Sequence, residues 1–147
     1  MSTQAYPIPT VGATIFNTNN QLLLIKTHKW HHKYGLPGGK IDVGETSEQA
    51  LIREIKEETN LDIGEIEFIL AQDVVFSEEF YKPKHFIFLN YRCKTNNLPE
   101  EVILNEEAQS YAWVSPEEAL TMDLNTPTRL LIEEVVKFVK EDASNEF

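Results

Sequence analysis

The chain has 147 residues, with 13 Lys and Arg against 24 Asp and Glu, and so a net charge of −11. Its 41% apolar and 10% aromatic content suits one globular domain spanning residues 1–147. A surface this acidic repels phosphate backbones and anionic headgroups, which excludes duplex nucleic acid and membranes as general partners.

The opening stretch MSTQAYPIPT lacks a basic segment followed by an apolar one, and no later run approaches the ~20 apolar residues of a membrane span. Cys93 is the sole cysteine and sits in an apolar run, so it reads as a buried free thiol. A cytoplasmic location is expected.

In chain order, Val11 to Phe16 and Gln21 to Lys26 are aliphatic and β-branched, and the turn chemistry of Asn17 to Asn20 joins them as a hairpin. Lys26 to Tyr34 is the one basic and aromatic patch. It suits an exposed loop or a substrate-binding one, in which Trp30 or Tyr34 stacks a base. Its histidines lack the companion ligands zinc requires. Thr46 caps a helix that runs to about Thr59, with Gln49 completing a capping box and Asn60 as a left-handed stop.

Ile66 to Phe76 and His85 to Cys93 read as strands, the second with apolar residues on both faces, so the sheet is expected to be covered on both sides. Phe76, Phe80, Tyr81 and Lys82 between them offer either a substrate rim or hairpin packing. Tyr111 to Val114 is a last short strand, and Ser115-Pro116-Glu117-Glu118 begins a short helix. Thr126 and Pro127 open the final helix, whose Leu131, Ile132, Val135, Val136 and Val139 recur at helical spacing. The polar end, 141–147, is expected to fray. Strands around two well-separated helices predict an α/β fold, a mixed sheet between helices.

The chemistry concentrates around the first long helix. Four of the six glycines, Gly35, Gly38, Gly39 and Gly44, lie within ten residues, which marks a tight loop where backbone must approach something closely. This is no P-loop, since Ile41 stands where a magnesium-binding hydroxyl belongs. The helix that follows carries Glu54, Glu57 and Glu58 at i, i+3 and i+4, three carboxylates on one face. Repulsion at such spacing costs ~0.2–0.5 kcal/mol per pair, and anions in the last turn oppose the helix dipole by a further ~0.3–1 kcal/mol. Solvated surface glutamates are one reading. A hard divalent cation, which reverses the sign of the repulsion, is the other.

Gly39, Glu45 and the run Arg53-Glu54-Ile55-x-Glu57-Glu58-x-Asn60-Leu61 together resemble the Nudix box, G-x5-E-x7-R-E-U-x-E-E-x-G-U with U aliphatic. Every fixed position matches except the last glycine, which is Asn60. The resemblance implies a Nudix-type α/β/α sandwich and a hydrolase that cleaves the pyrophosphate linkage of a nucleoside diphosphate derivative. It further implies that Glu54, Glu57 and Glu58 bind Mg²⁺ or Mn²⁺, joined by backbone near Gly39. Lys40 adds a phosphate contact, Gly38 shapes the loop, and Arg53 orients the site through a salt bridge to Glu45. Catalysis is then assigned to Glu57, Glu54, Arg53 and one loop carboxylate, Glu107 being chosen over Glu106, with Glu57 or Glu107 as the base.

Tyr111 to Val114, Pro116-Glu117, Asp123-Leu124-Asn125 and Thr128-Arg129 resemble the tail of the bacterial Nudix nucleoside triphosphatases, MutT-like proteins. By that likeness Asn125 reads a base edge, although capping of the last helix also explains it. The substrate expected is a nucleoside or deoxynucleoside triphosphate, a small-molecule partner. ADP-ribose, another nucleotide sugar, a dinucleoside polyphosphate, or nucleotide sensing without hydrolysis are the alternatives. Oligomeric state is left open, a homodimer included.

Overall fold

The computed structural model describes residues 4–144. The strands are β1 (Ile8–Phe16), β2 (Leu22–Lys26), β3 (Tyr34–Gly35), β4 (Gly38–Lys40), β5 (Ile63–Val75), β6 (His85–Thr95) and β7 (Ser110–Val114). The helices are α1 (Ser47–Thr59), α2 (Pro116–Ala119) and α3 (Thr126–Ser144). Single 3₁₀ turns occupy His28–Trp30 and Pro99–Glu101.

One sheet runs in the order β3-β2-β1-β6-β5, with β4 added to β1 and β7 to β2. The β1–β6 pair is parallel and the other pairings are antiparallel, so the sheet is mixed. The expected hairpin forms at β1 and β2. Asn17 closes it, its Oδ1 accepting from Asn19 N at 2.9 Å and Gln21 N at 3.0 Å, as short polar side chains do in turns.

Strand alternation sends apolar side chains both ways. Leu23 and Ile25 join Val11, Ala13 and Ile15 against Ala50, Leu51 and Ile55 of α1. Leu22 and Leu24 join Val114 against Ala119 of α2 and Ile132 of α3. Helices therefore cover both faces, the α/β/α sandwich expected.

Several boundaries differ from the sequence reading. The fifth strand starts at Ile63 and ends at Val75, because Phe76 takes a left-handed φ of 50°. Two register shifts, between Gly64 and Glu67 and between Phe68 and Leu70, break the alternation that would have revealed its start. The final helix continues to Ser144, so 141–144 are helical where fraying was expected, and 145–147 lie outside the described residues. Among the described residues no helix is long and apolar enough to cross a membrane.

Candidate active site

The helix carrying the acids is set at both ends by its own sequence. Thr46 Oγ1 accepts from Gln49 N at 3.1 Å while Gln49 Oε1 accepts from Thr46 N at 2.9 Å, a full capping box. Asn60 stops the helix at φ 69°, ψ 3°, and its N–H reaches Lys56 O at 3.0 Å. Leu51, Ile55 and Glu58 follow at i, i+4 and i+7, so the apolar stripe that buries Leu51 and Ile55 carries Glu58 inward with them. Glu58 retains only 4% exposure.

The glycine loop is folded as strand β4, antiparallel to β1 through Gly12↔Gly38, Val11↔Gly39 and Thr10↔Lys40. A Cβ on Gly38 would overlap the Val11 carbonyl, and one on Gly39 would overlap the Glu54 carboxylate. The glycines thus let the loop lie flat between β1 and α1, and they leave room for carboxylate oxygens. Gly38 N donates to Glu58 Oε1 at 3.2 Å.

Arg53 organises the outer side. Its Nε and Nη2 donate to Glu45 Oε2 and Oε1 at 2.6 and 2.8 Å, a bidentate fork. Its Nη1 reaches Glu54 Oε1 at 2.9 Å and Glu57 Oε2 at 3.3 Å, and its Nη2 reaches Lys40 O at 3.1 Å. The fork and a backbone N–H from Asp42 hold the Glu45 carboxyl down to about 2. Arg53 itself is pushed further above its ordinary range, chiefly by Glu45.

Burial acts in the opposite sense on the inner acids. It pushes Glu58 up to about 8, with Glu107 and Glu54 adding to the rise against the Gly38 N–H. Glu54 is raised too, mainly by burial and in spite of Arg53. Among the described residues no three His, Cys, Asp or Glu converge ready on one point, because Arg53 lies between Glu54 and Glu57. The donor set nevertheless suits a hard cation. Glu58 is buried and Glu54 half-buried, the guanidinium beside Glu54 is shared with Glu45 and Glu57, all donors are oxygens, and Gly39 leaves the space beside Glu54 free of a side chain.

The loop before β7 brings in the fourth acid. Ile103 N and Asn105 N donate to Thr59 O and Glu58 O at 3.0 and 3.2 Å, fastening this loop to the end of α1. Glu107 N then donates to Asn105 Oδ1 at 3.0 Å, and the Glu107 carboxylate stands 3.9 Å from Lys29 Nζ.

A cleft of about 410 Å³ opens here. Glu54, Glu58, Glu107, Gly38, Gly39 and Lys40 form part of its wall, with Lys29 and Lys33 also lining it. Another part is aromatic: Trp30 lies edge-on to Phe80, centroids 4.8 Å apart, and Phe80 to Phe86 at 5.0 Å. Asn125 lines the cleft and also caps α3, its Oδ1 accepting from Thr128 N at 3.0 Å.

Several residues singled out from sequence stand outside the cleft wall. Glu57 is 56% exposed on the Arg53 side, outside the cleft wall. Tyr34 packs against the Leu22 and Leu24 cluster, with Lys26 Nζ 4.8 Å from its ring centroid. Of the two aromatics named for stacking, only Trp30 lines the cleft. Phe80 lines it as well, whereas Phe76 rests beside His85 and Tyr81 beside Phe80. Phe86, Phe88, Gln72 and Asn90 were not singled out. Their one sequence signal is the polar Asn90 two residues beyond Phe88 in an apolar strand.

A family model described as the NUDIX domain matches residues 7–135. The chain belongs to the Nudix family. It is a Nudix pyrophosphohydrolase, an enzyme class that cleaves pyrophosphate linkages in nucleotide derivatives and generally uses divalent metals. Over 103 residues it is 37% identical to the nucleoside triphosphatase NudI of Escherichia coli, covering 66% of this chain and 72% of that one. The solved MutT NUDIX hydrolase of Burkholderia pseudomallei matches with a TM-score of 0.72 at 26% identity, over 88% of this chain and 98% of that one. The NUDIX domain of Shewanella oneidensis NrtR, solved with ADP ribose, matches with a TM-score of 0.76 at 21% identity, over 92% and 90% of the two chains. This last likeness speaks to the Nudix fold alone.

Proposed function

We propose that this Nudix enzyme hydrolyses nucleoside or deoxynucleoside triphosphates to the monophosphate and pyrophosphate. The observation that carries the reading is one cavity lined both by Glu54, Glu58 and Glu107 and by Trp30, Phe80 and Phe86: acids for the phosphate end, rings for the base. The relative named a nucleoside triphosphatase supports the same substrate class.

We assign Glu54, Glu57 and Glu58, with backbone at Gly39, to hold Mg²⁺ or Mn²⁺. A divalent cation bound there neutralises phosphate charge and makes the attacked phosphorus more electrophilic. Arg53 keeps Glu54 and Glu57 aligned through its fork on Glu45, so we read it as a positioning residue. Lys29, Lys33 and Lys40 present positive charge to the polyphosphate. Water attacks a phosphorus, the bridging P–O bond breaks toward the departing pyrophosphate, and a carboxylate takes the proton of the water. We give that proton to Glu107, which lines the cleft, rather than to Glu57, which stands outside its wall. Trp30, not Tyr34, stacks the base. Residues 1–147 act as one domain in the cytosol, with no membrane or duplex partner.

The test is release of phosphate or pyrophosphate across triphosphates, ADP-ribose and diadenosine polyphosphates, with and without Mg²⁺. Triphosphates should turn over fastest and yield pyrophosphate. Faster cleavage of ADP-ribose or a dinucleotide would move the enzyme to that substrate class, and tight nucleotide binding without turnover would make it a sensor.

A further inference from the structure

The residues that stand out beyond the acids are two buried amides in the cleft wall. Asn90 and Asn125 keep 5% and 4% exposure. Side chains alternate along β6, so Phe86, Phe88 and Asn90 share a face, and all three line the cleft. Gly12 stands directly opposite Asn90 on β1. Having no side chain, it leaves the amide uncovered, and even a Cβ there would come only within 3.8 Å of Asn90 Nδ2.

Backbone groups fix which way each amide points. Gln72 Nε2 donates to Pro127 O at 2.9 Å and to Asn90 Oδ1 at 2.9 Å. A peptide carbonyl can only accept, so Gln72 must present its nitrogen at this junction, and Asn90 must answer with oxygen. The Asn90 Nδ2 group is left for the cleft. At Asn125 the oxygen is taken by Thr128 N at 3.0 Å, a group that can only donate, so its Nδ2 is again the free end. Among the described residues Thr14 Oγ1 is the one side-chain polar atom fully buried without a partner. Neither amide nitrogen is such an atom, and both residues line the cleft. The wall beside Phe86 and Phe88 offers N–H donors, with both amide oxygens already engaged.

We propose that Asn90, oriented by Gln72, makes this cleft select nucleotides whose base carries a carbonyl where its analogue carries an amino group. A base carbonyl satisfies the Asn90 donor. The exocyclic amino group of cytosine or adenine sets N–H against N–H and leaves the donor unmatched, the kind of mismatch that discriminates strongly. Asn90 is the specificity-determining residue, Asn125 adds a second donor, and Gln72 is a positioning residue that never touches the ligand. The inference rests on the triphosphate reading, whose base end it deepens.

The test is calorimetric binding, with Mg²⁺, of α,β-methylene triphosphate analogues of uridine against cytidine and of inosine against adenosine. Each pair exchanges a carbonyl for an amino group and, beside it, a ring N–H for a bare ring nitrogen. The carbonyl member should bind at least tenfold tighter. Asn90→Asp keeps an acceptor for Gln72 but turns a second oxygen to the cleft, and it should bring the ratio to one or below. Gln72→Glu can only accept, so it should turn the Asn90 amide over and lower the ratio without contacting the ligand; a merely structural role would weaken both ligands alike. Equal binding by the wild type overturns the inference, as does a ratio unmoved in both folded variants. Hydrolysis of both members at equal kcat/KM also sinks it while leaving the triphosphatase reading intact. A carbonyl preference in binding without turnover of any triphosphate sinks that reading and keeps this inference. Binding of no nucleotide overturns both.

Discussion

Removing divalent metal should make this protein less stable as pH rises from 5 to 8, a trend opposite to that of ordinary paired carboxylates. The cause is Glu58, whose carboxyl burial lifts from 4.5 to about 8. Between those values the folded protein keeps a proton that the unfolded chain has released, so each pH unit upward favours unfolding. At about 1.4 kcal/mol per unit over this window the ceiling is roughly 4 kcal/mol, and the expected loss is about 2–4 kcal/mol. Glu54, also raised by burial, acts in the same direction. Glu45, held near 2, gives stability that is present above its unfolded value and is lost only in strong acid, outside this window. Saturating Mg²⁺ should flatten the slope, because a cation holds Glu58 ionised, and at 100-fold over Kd it should add about 2.7 kcal/mol. Urea unfolding at pH 5, 6, 7 and 8, in chelator and in Mg²⁺, measures both. Glu58→Gln is the internal control: without metal it should be flatter than wild type and more stable at pH 8. A metal-free stability that stays level or rises over this range, or a Glu58→Gln slope matching the wild type, would refute the reasoning.

Arg53→Lys cannot reproduce the fork on Glu45 while also reaching Glu54. It should lower kcat about 10–100-fold, and carboxyl NMR titration should show Glu45 rising from about 2 toward the usual range. Glu107→Gln should lower kcat by about 10²–10⁴ with an unchanged melting temperature, and a loss under about threefold on that scale would remove it as the base. Gly39→Ala should push the Glu54 carboxylate aside and weaken Mn²⁺ binding about 10–100-fold, read by electron paramagnetic resonance. Equal affinity for Mn²⁺ would detach Glu54 from the metal site.

Short-range chemistry was legible in the sequence. The capping box of Thr46 and Gln49, the left-handed Asn60 and the Ser115 cap depend on residues within four positions of one another, and each stands where its side chain dictates. The ion pair of Arg53 with Glu45 followed from a motif of fixed spacing. What stayed hidden depends on pairing across the sheet. Gly38 to Lys40 reads as loop, yet it is a strand because β1 offers it a free edge. Tyr34 reads as part of a basic aromatic patch, yet its pairing with Lys26 sends the ring to the Leu22 cluster. Gln72 and Asn90 are 18 positions apart on neighbouring strands, and a carbonyl of a third element decides their orientation. No periodicity in one strand could show that.

Charge crowding on α1 also takes its meaning from position along the apolar stripe. Three glutamates within one turn look equivalent in sequence, but they divide by the direction each faces. Glu58 continues the stripe of Leu51 and Ile55 and is buried, Glu57 faces Arg53 and water, and Glu54 lies between them against Gly39. Asn60, the one departure from the Nudix pattern, adds to this arrangement. A glycine would adopt the same left-handed backbone but could not supply Nδ2, which donates to Glu101 O at 3.2 Å. Through that bond the end of α1 is tied to the turn at Pro99–Glu101, whose Pro99 O accepts from Trp113 Nε1 at 3.0 Å. The chain between Glu101 and Trp113 is the one that carries Glu107. Asparagine at this position therefore stops the helix and also helps anchor the loop that delivers the fourth carboxylate.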